Sequence, residues 1–186
     1  MQELFIDPTF YTTAPTSEGR LEKEMKTYSI LEQLNIPYVR LDHGVTATIE
    51  ACQKVEEMFE IEICKNLFLC NTQKTKFYLL MMLGNKKFRT AEVSKQINSP
   101  RLSFANEAYM EKFLNLTPGS VTVLGLMNDH QHKVELLIDR DLLHQEYIGC
   151  HPCINTSSLK IKVSDLLEKF LPYVQHEPTF VTLSNE

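Results

Sequence analysis

The chain has 186 residues, a net charge of −5 and five cysteines. The length suits one domain built on a single core, and the negative charge excludes a protein that holds nucleic acid through bulk electrostatics alone. No stretch approaches the ~18 uninterrupted apolar residues of a membrane helix, and an odd number of irregularly spaced cysteines argues against a disulfide framework.

Residues 1–17 read as an irregular lead-in with two prolines, Pro8 and Pro15. The segment is acidic and lacks a basic stretch followed by an apolar one, so no secretory signal is expected and the cytoplasm is the expected compartment. From Glu18 to Asn35, apolar residues at Leu21, Met25, Tyr28, Leu31 and Leu34 recur at three- and four-residue intervals. This spacing predicts an amphipathic helix, with Thr16 or Ser17 available as its cap. Tyr38 to Leu41 reads as a strand after Pro37, and Thr48 to Met58 as a second helix with Ile49, Cys52 and Val55 on one face.

Asn66 to Cys70 and Lys76 to Leu83 read as hairpin strands joined by the polar segment 71–75. Phe77 to Leu83 is almost wholly apolar, which predicts a central strand covered on both faces. Thr90 to Ile97 and Asn106 to Leu114 read as helices around the strand-like Arg101 to Phe104, and Val121 to Leu126 and Val134 to Ile138 as strands. Ser158 to Val163 is a last strand, followed by a helix from Asp165 to Leu171 capped by Ser164 and stopped before Pro172. The tail is weakly patterned. Together the elements predict an α/β (mixed α+β) single domain, one mixed sheet of six or seven strands with surrounding helices.

Charge is unevenly placed. Lys74 to Arg101 holds seven basic residues and the single acid Glu92, between acidic flanks. Such a band is either a phosphate-facing patch or a solvated face of strands and a helix.

Three segments carry possible chemistry. In Tyr147 to Thr156, Gly149 and Pro152 could bend the backbone and hold His151 and Asn155 in one orientation, although an ordinary strand–turn–strand crossing uses the same residues. Pro118 to Thr122 has a glycine after a helix, where successive N–H groups can bind an anion or a carbonyl oxygen; a simple helix stop needs no more. Lys65 precedes an apolar strand. It either points to solvent or, drawn into a cleft, supplies a point charge to a phosphate or an ester carbonyl.

Cys150 and Cys153 form C-x-x-C, but a structural zinc site needs about four ligands and no second such pair exists. The other histidines (His43, His130, His132, His144 and His176) are scattered and read as surface residues. No serine-hydrolase elbow, phosphate loop or dinucleotide fingerprint appears. Any hydrolysis would therefore use water as its nucleophile.

Three elements in one order, Lys65-Asn66-Leu67-Phe68-Leu69, then Pro118-Gly119-Ser120-Val121-Thr122 with Gly125 to Asp129, then Gly149-Cys150-His151-Pro152 with Asn155-Thr156, resemble the YbaK/ProX family, free-standing relatives of the editing domain of bacterial prolyl-tRNA synthetases. The resemblance runs from about Tyr38 to Leu171 and looks closest to the PrdX-like branch that clears alanine from the proline tRNA. It implies hydrolysis of mischarged alanyl-tRNA(Pro) by water, with proline excluded by size. It places catalysis on Lys65 and Gly119, and substrate binding on Thr48, Ser120, Val121, Thr122, His151 and Asn155. The basic residues Lys74, Lys76, Lys86, Lys87 and Arg89 would meet the acceptor stem. The implied partners are aminoacylated proline tRNA and prolyl-tRNA synthetase, with no membrane, DNA, metal or cofactor. Val123 stands where the family's loop usually carries proline. The alternatives are a deacylase for cysteinyl or another small aminoacyl-tRNA, a non-catalytic tRNA- or amino-acid-binding regulator, and a zinc module around Cys150, His151 and Cys153.

Overall fold

A computed structural model describes residues 5–45, 49–62 and 64–185, with the backbone alone at 49 and 50. The first helix, α1 (Glu22–Gln33), buries Tyr28 and Leu31 of the predicted stripe, with Met25 and Leu34 packed at its edge, while Leu21 is 57% exposed and Ile30, outside the stripe, is buried. Leu21 holds its N-cap position without a side-chain cap, so neither Thr16 nor Ser17 serves as its N-cap. Strand β1 (Tyr38–Asp42) and helix α2 (Ile49–Phe59) follow, with Leu41, Val55 and Phe59 in one small apolar cluster.

The hairpin consists of β2 (Cys64–Asn71) and β3 (Phe77–Leu83), in antiparallel register with Lys65 opposite Met82 and Leu69 opposite Tyr78. Every residue of β3 is buried. Phe77, Leu79, Met81 and Leu83 enter the main core, while Tyr78, Leu80 and Met82 enter a second core on the opposite face with Val93, Leu102 and Leu137. The unbroken apolar run is thus a strand sandwiched between two layers. Beyond it lie α3 (Thr90–Gln96), β4 (Leu102–Phe104) and α4 (Glu107–Leu114), the last capped by the Asn106 side chain on the Tyr109 N–H.

The mixed α/β class is as expected, but the strands divide between two sheets. With β5 (Val134–Asp139), β6 (Tyr147–Cys150), β7 (Ser157–Lys162) and β8 (Thr179–Val181) added, the orders are β4-β2-β3-β5-β8 and β1-β7-β6. The small sheet is wholly antiparallel; in the large one β5 runs parallel to β3 and β8. The small sheet's inward residues Ile148, Cys150, Leu159 and Ile161 join the same core as the inner face of β2 and β3.

Three local expectations are corrected. Val123–Asn128 is a 3-10 turn rather than a strand, started by the Thr122 hydroxyl accepting from the Leu124 N–H at 3.3 Å. The last helical stretch runs on over 163–174 and lacks a side-chain cap; a wide π turn at Leu166–Phe170 ends just before Leu171-Pro172, where the proline has no N–H for a regular α turn. The weakly patterned tail supplies β8. Among the described residues no helix is long and apolar enough to cross a membrane.

Candidate active site

The second residue of β2 is Lys65, exposed beside a cavity of about 270 Å³. Helix α2 supplies one wall through Cys52, Val55, Glu56 and Phe59, β2 another through Cys64 to Leu67, and the small sheet a third through Gly149, Cys150, His151 and Ser158. The loop after α4 closes it with Gly119 and Val121. Lys65, Gly119, Val121 and His151, distant in the chain, therefore face one space.

The Lys65 ammonium donates to the backbone carbonyl of Lys86 at 3.2 Å. Among the described residues no carboxylate lies within ion-pair distance of it. Its charge is thus held by a neutral carbonyl and stays available to an anionic ligand.

Gly119 adopts φ +85°, a left-handed conformation that strains other residues. A Cβ there would stand 3.3 Å from Nδ2 of Asn155, so the loop lies directly against the segment after β6. Among the described residues the Gly119 N–H donates to no group, whereas the next N–H, of Ser120, donates to the Thr117 carbonyl at 3.0 Å.

The hydroxyls of Ser120 and Thr122 do not reach the cavity. Ser120 is buried and donates to the Thr117 carbonyl at 2.8 Å, and Thr122 is buried capping the 3-10 turn. Their short side chains satisfy local backbone groups and brace the loop, so any contact of these two residues with a ligand would come from the main chain. Val123, at the position where the resemblance implies a proline, is itself buried.

Nδ1 of His151 donates to the Ser157 carbonyl at 2.9 Å, which leaves Nε2 as the acceptor nitrogen of the neutral ring. Burial holds this ring below the usual histidine value; the Ser157 carbonyl opposes that shift, and His43, its ring 6.3 Å away, adds to it. Ser157 also donates its hydroxyl to Asp42 at 2.6 Å, and Asp42 binds Arg20 at 2.8 Å and Arg40. Burial alone would raise the Asp42 carboxyl, but hydrogen bonds from Arg20, Arg40 and Ser157 outweigh it and hold it at about 2. The residue that orients His151 is thereby tied to β1.

Gly149 does not form a bend. It lies within β6, where a Cβ would meet Cδ1 of Ile61 at 2.9 Å, so its role is close approach beside the cavity. Asn155 lies against Gly119 and lines a neighbouring cleft of about 480 Å³ with Arg20 and Asp42 rather than the 270 Å³ cavity. Thr48 lies outside the described residues.

Lys74, Lys76, Lys87 and Arg89 are exposed. Lys86 is not: it is 3% exposed, and its ammonium sits 2.7 Å from Asp139 and 2.6 Å from Asp141. It is corrected from an RNA contact to a buried staple, because burying a lysine requires paired charge. His43 and His176 are likewise buried rather than on the surface. His43 donates through Nδ1 to the Gly44 carbonyl at 2.7 Å and meets Ser158 Oγ through Nε2 at 2.8 Å.

Sequence reasoning missed Glu56, Asn66 and Ser158 as cavity residues. Asn66 is notable because its Oδ1 is buried without a partner among the described residues while Nδ2 donates to the Cys64 carbonyl at 3.3 Å. Its place directly after Lys65 was the available signal. The thiols of Cys150 and Cys153 are buried and pushed up by burial, Cys153 to about 11, which disfavours the thiolate that a metal site uses.

The profile of the aminoacyl-tRNA editing domain matches residues 43–169. Prolyl-tRNA editing protein ProX of Acetoanaerobium sticklandii is 32% identical over 136 residues, covering 73% of this chain and 83% of that protein. Prolyl-tRNA synthetase associated domain-containing protein 1 of Danio rerio is 30% identical over 164 residues, 87% of each chain. A crystal structure of a candidate trans-editing enzyme for prolyl tRNA synthetase superposes with a TM-score of 0.64 at 14% identity, covering 88% of this chain and 99% of that one, which shows a shared fold.

Proposed function

The chain belongs to the aminoacyl-tRNA editing domain family, and from that premise we propose that it is a trans-editing deacylase that hydrolyses mischarged alanyl-tRNA(Pro). The observation that carries this reading is the convergence of Lys65, Gly119 and His151 on one cavity of about 270 Å³.

An aminoacyl ester needs little activation. The protein must hold its carbonyl near donors and admit a water. The unengaged N–H of Gly119 stabilises the oxyanion as water adds to the carbonyl carbon. Lys65 supplies positive charge to that oxyanion or to the terminal phosphate. His151 accepts, through Nε2, the hydroxyl of the terminal ribose and fixes its orientation. The ester C–O bond then breaks, alanine leaves as the free acid, and the ribose oxygen takes the proton.

Val121, Phe59 and Ile61 belong to the apolar part of the wall, with Val55 and Leu67. We assign discrimination to these side chains: a methyl group fits between them, and the ring of proline is excluded by size. The exposed Lys74, Lys76, Lys87 and Arg89 contact the acceptor stem, and the enzyme acts on tRNA charged by prolyl-tRNA synthetase, in the cytoplasm.

The test compares hydrolysis of alanyl-, cysteinyl- and prolyl-tRNA(Pro), with Lys65→Ala as control. Loss of alanine but not proline, dependent on Lys65, is the expected result. Faster loss of cysteine would move the reading to another small aminoacyl ester. Binding of charged tRNA without acceleration on any substrate would overturn the enzyme in favour of a regulator.

A further inference from the structure

We propose that Phe88 and Phe104 form a stacking platform for the unpaired 3′ end of RNA, set beside the mouth of the cavity. The identity of that RNA rests on the deacylase reading above.

The geometry begins at Lys65. Its bond to the Lys86 carbonyl places the start of the segment Lys87-Phe88-Arg89 at the cavity's edge. Leu67, which lines the cavity, and Phe88 pack against the same apolar cluster. The Phe88 ring meets that of Phe104 at 5.8 Å between centroids and 63°, an edge-to-face pair. Phe104 ends β4 opposite Leu69, four residues along β2 from Lys65. At ~3.3 Å per residue this puts it about 13 Å from the lysine, within reach of the nucleotides that precede a terminal ribose held in the cavity.

Phe104 is 65% exposed on an edge strand, where a large apolar side chain left open to solvent is uncommon. Lys87 and Arg89 flank Phe88, and Arg101 is exposed on the approach to β4. The nearest acid of α3, Glu92, turns its carboxylate to the N–H and hydroxyl of Ser184 at 2.9 and 3.4 Å. Glu107, at the start of α4, is the exposed acid nearest Phe104 in the chain. Aromatic faces between cations fit single-stranded nucleic acid, whose bases stack on rings while its phosphates meet the charges. An apolar protein partner would gain nothing from the cations.

The test measures affinity of the wild type, Phe104→Ala and Phe104→Tyr for two uncharged acceptor-stem minihelices, one ending in the unpaired 3′ nucleotides and one blunt, beside turnover of alanyl-tRNA(Pro). Phe104→Ala is expected to weaken binding of the tailed minihelix about fivefold or more and to leave the blunt one unchanged, with Phe104→Tyr restoring the tailed affinity. In turnover the loss should fall on KM rather than kcat. Equal affinity of wild type and Phe104→Ala for the tailed minihelix would overturn the platform, as would an equal loss on both minihelices, which would indicate a protein-wide defect. The two readings fail separately. Turnover without Phe104 dependence removes the platform alone, and Phe104-dependent tail binding without turnover on any ester removes the deacylase alone.

Discussion

The Lys65 ammonium donates to the backbone carbonyl of Lys86 at 3.2 Å, while the Lys86 side chain is drawn the other way into a buried cage of Asp139, Asp141 and the Leu183 carbonyl. One residue therefore fixes the cavity lysine, Lys65, by its main chain and the C-terminal segment by its side chain. Burial alone would push the Lys86 ammonium down, but its bonds to Asp139 and Asp141 outweigh that and raise it.

Lys86→Met would leave the fully buried Asp139 without its partner. The expected loss is about 3–5 kcal/mol of stability, read as a lower urea midpoint at unchanged slope. Lys86→Met with Asp139→Leu should recover a large part of it, because replacing both members removes the orphaned charge. A midpoint unchanged in the single variant would mean that the staple contributes nothing.

Gly119→Ala tests the loop without removing a charge. Its φ of +85° penalises any Cβ by about 1–2 kcal/mol, and the added carbon would stand 3.3 Å from Asn155 Nδ2. Turnover should fall far more than stability, since the displaced N–H is the proposed oxyanion donor; such donors are worth about 100- to 1,000-fold in kcat. Full turnover in a folded Gly119→Ala protein would remove the glycine from the chemistry.

Lys87 and Lys86 are neighbours with opposite surroundings, one exposed and one buried. Lys87→Ala and Arg89→Ala should each flatten the dependence of log affinity for tRNA on log salt, by about 0.7–0.9 for every phosphate left without its cation. Slopes matching the wild type in both variants would move the RNA path off this face.

That pair of lysines also marks where reading the sequence stops. Nothing local separates Lys86 from Lys87; the difference lies in Asp139 and Asp141, which reach it only through the pairing of β3 with β5. Elements with strong local patterns were legible: the stripe of α1, and β3 as an unbroken apolar run. The division into two sheets was not, because it depends on β1 pairing with β7 across most of the chain. Residues 121–126 have a strand-like composition, yet the Thr122 cap starts a 3-10 turn at Val123. In the site, Lys65, Gly119 and His151 were readable from their joint order. Glu56 and Ser158 were not, since what makes them cavity residues is α2 and β7 arriving from elsewhere, and His43 looked like one more polar-turn histidine.

The acid dependence of the protein follows from His43 and His151, both held below the usual value of 6.5, chiefly by burial. A histidine with a depressed folded pKa is favoured neutral, so the unfolded chain binds its proton first as pH falls. The stability it contributes is full above about 6.5 and is lost as pH drops from there toward the folded value. Asp42 acts in a separate, lower window, between its ordinary 3.8 and about 2. His151→Gln should therefore flatten the stability slope just below pH 6.5 while leaving the Asp42 window in place. The same shift governs turnover. If Nε2 must accept the ribose hydroxyl, kcat stays level as pH falls through 6.5 and declines only below it, where the ring becomes protonated. A decline already centred at 6.5 would mean that the titrating group is not this buried ring, and a decline that survives His151→Gln would assign it elsewhere.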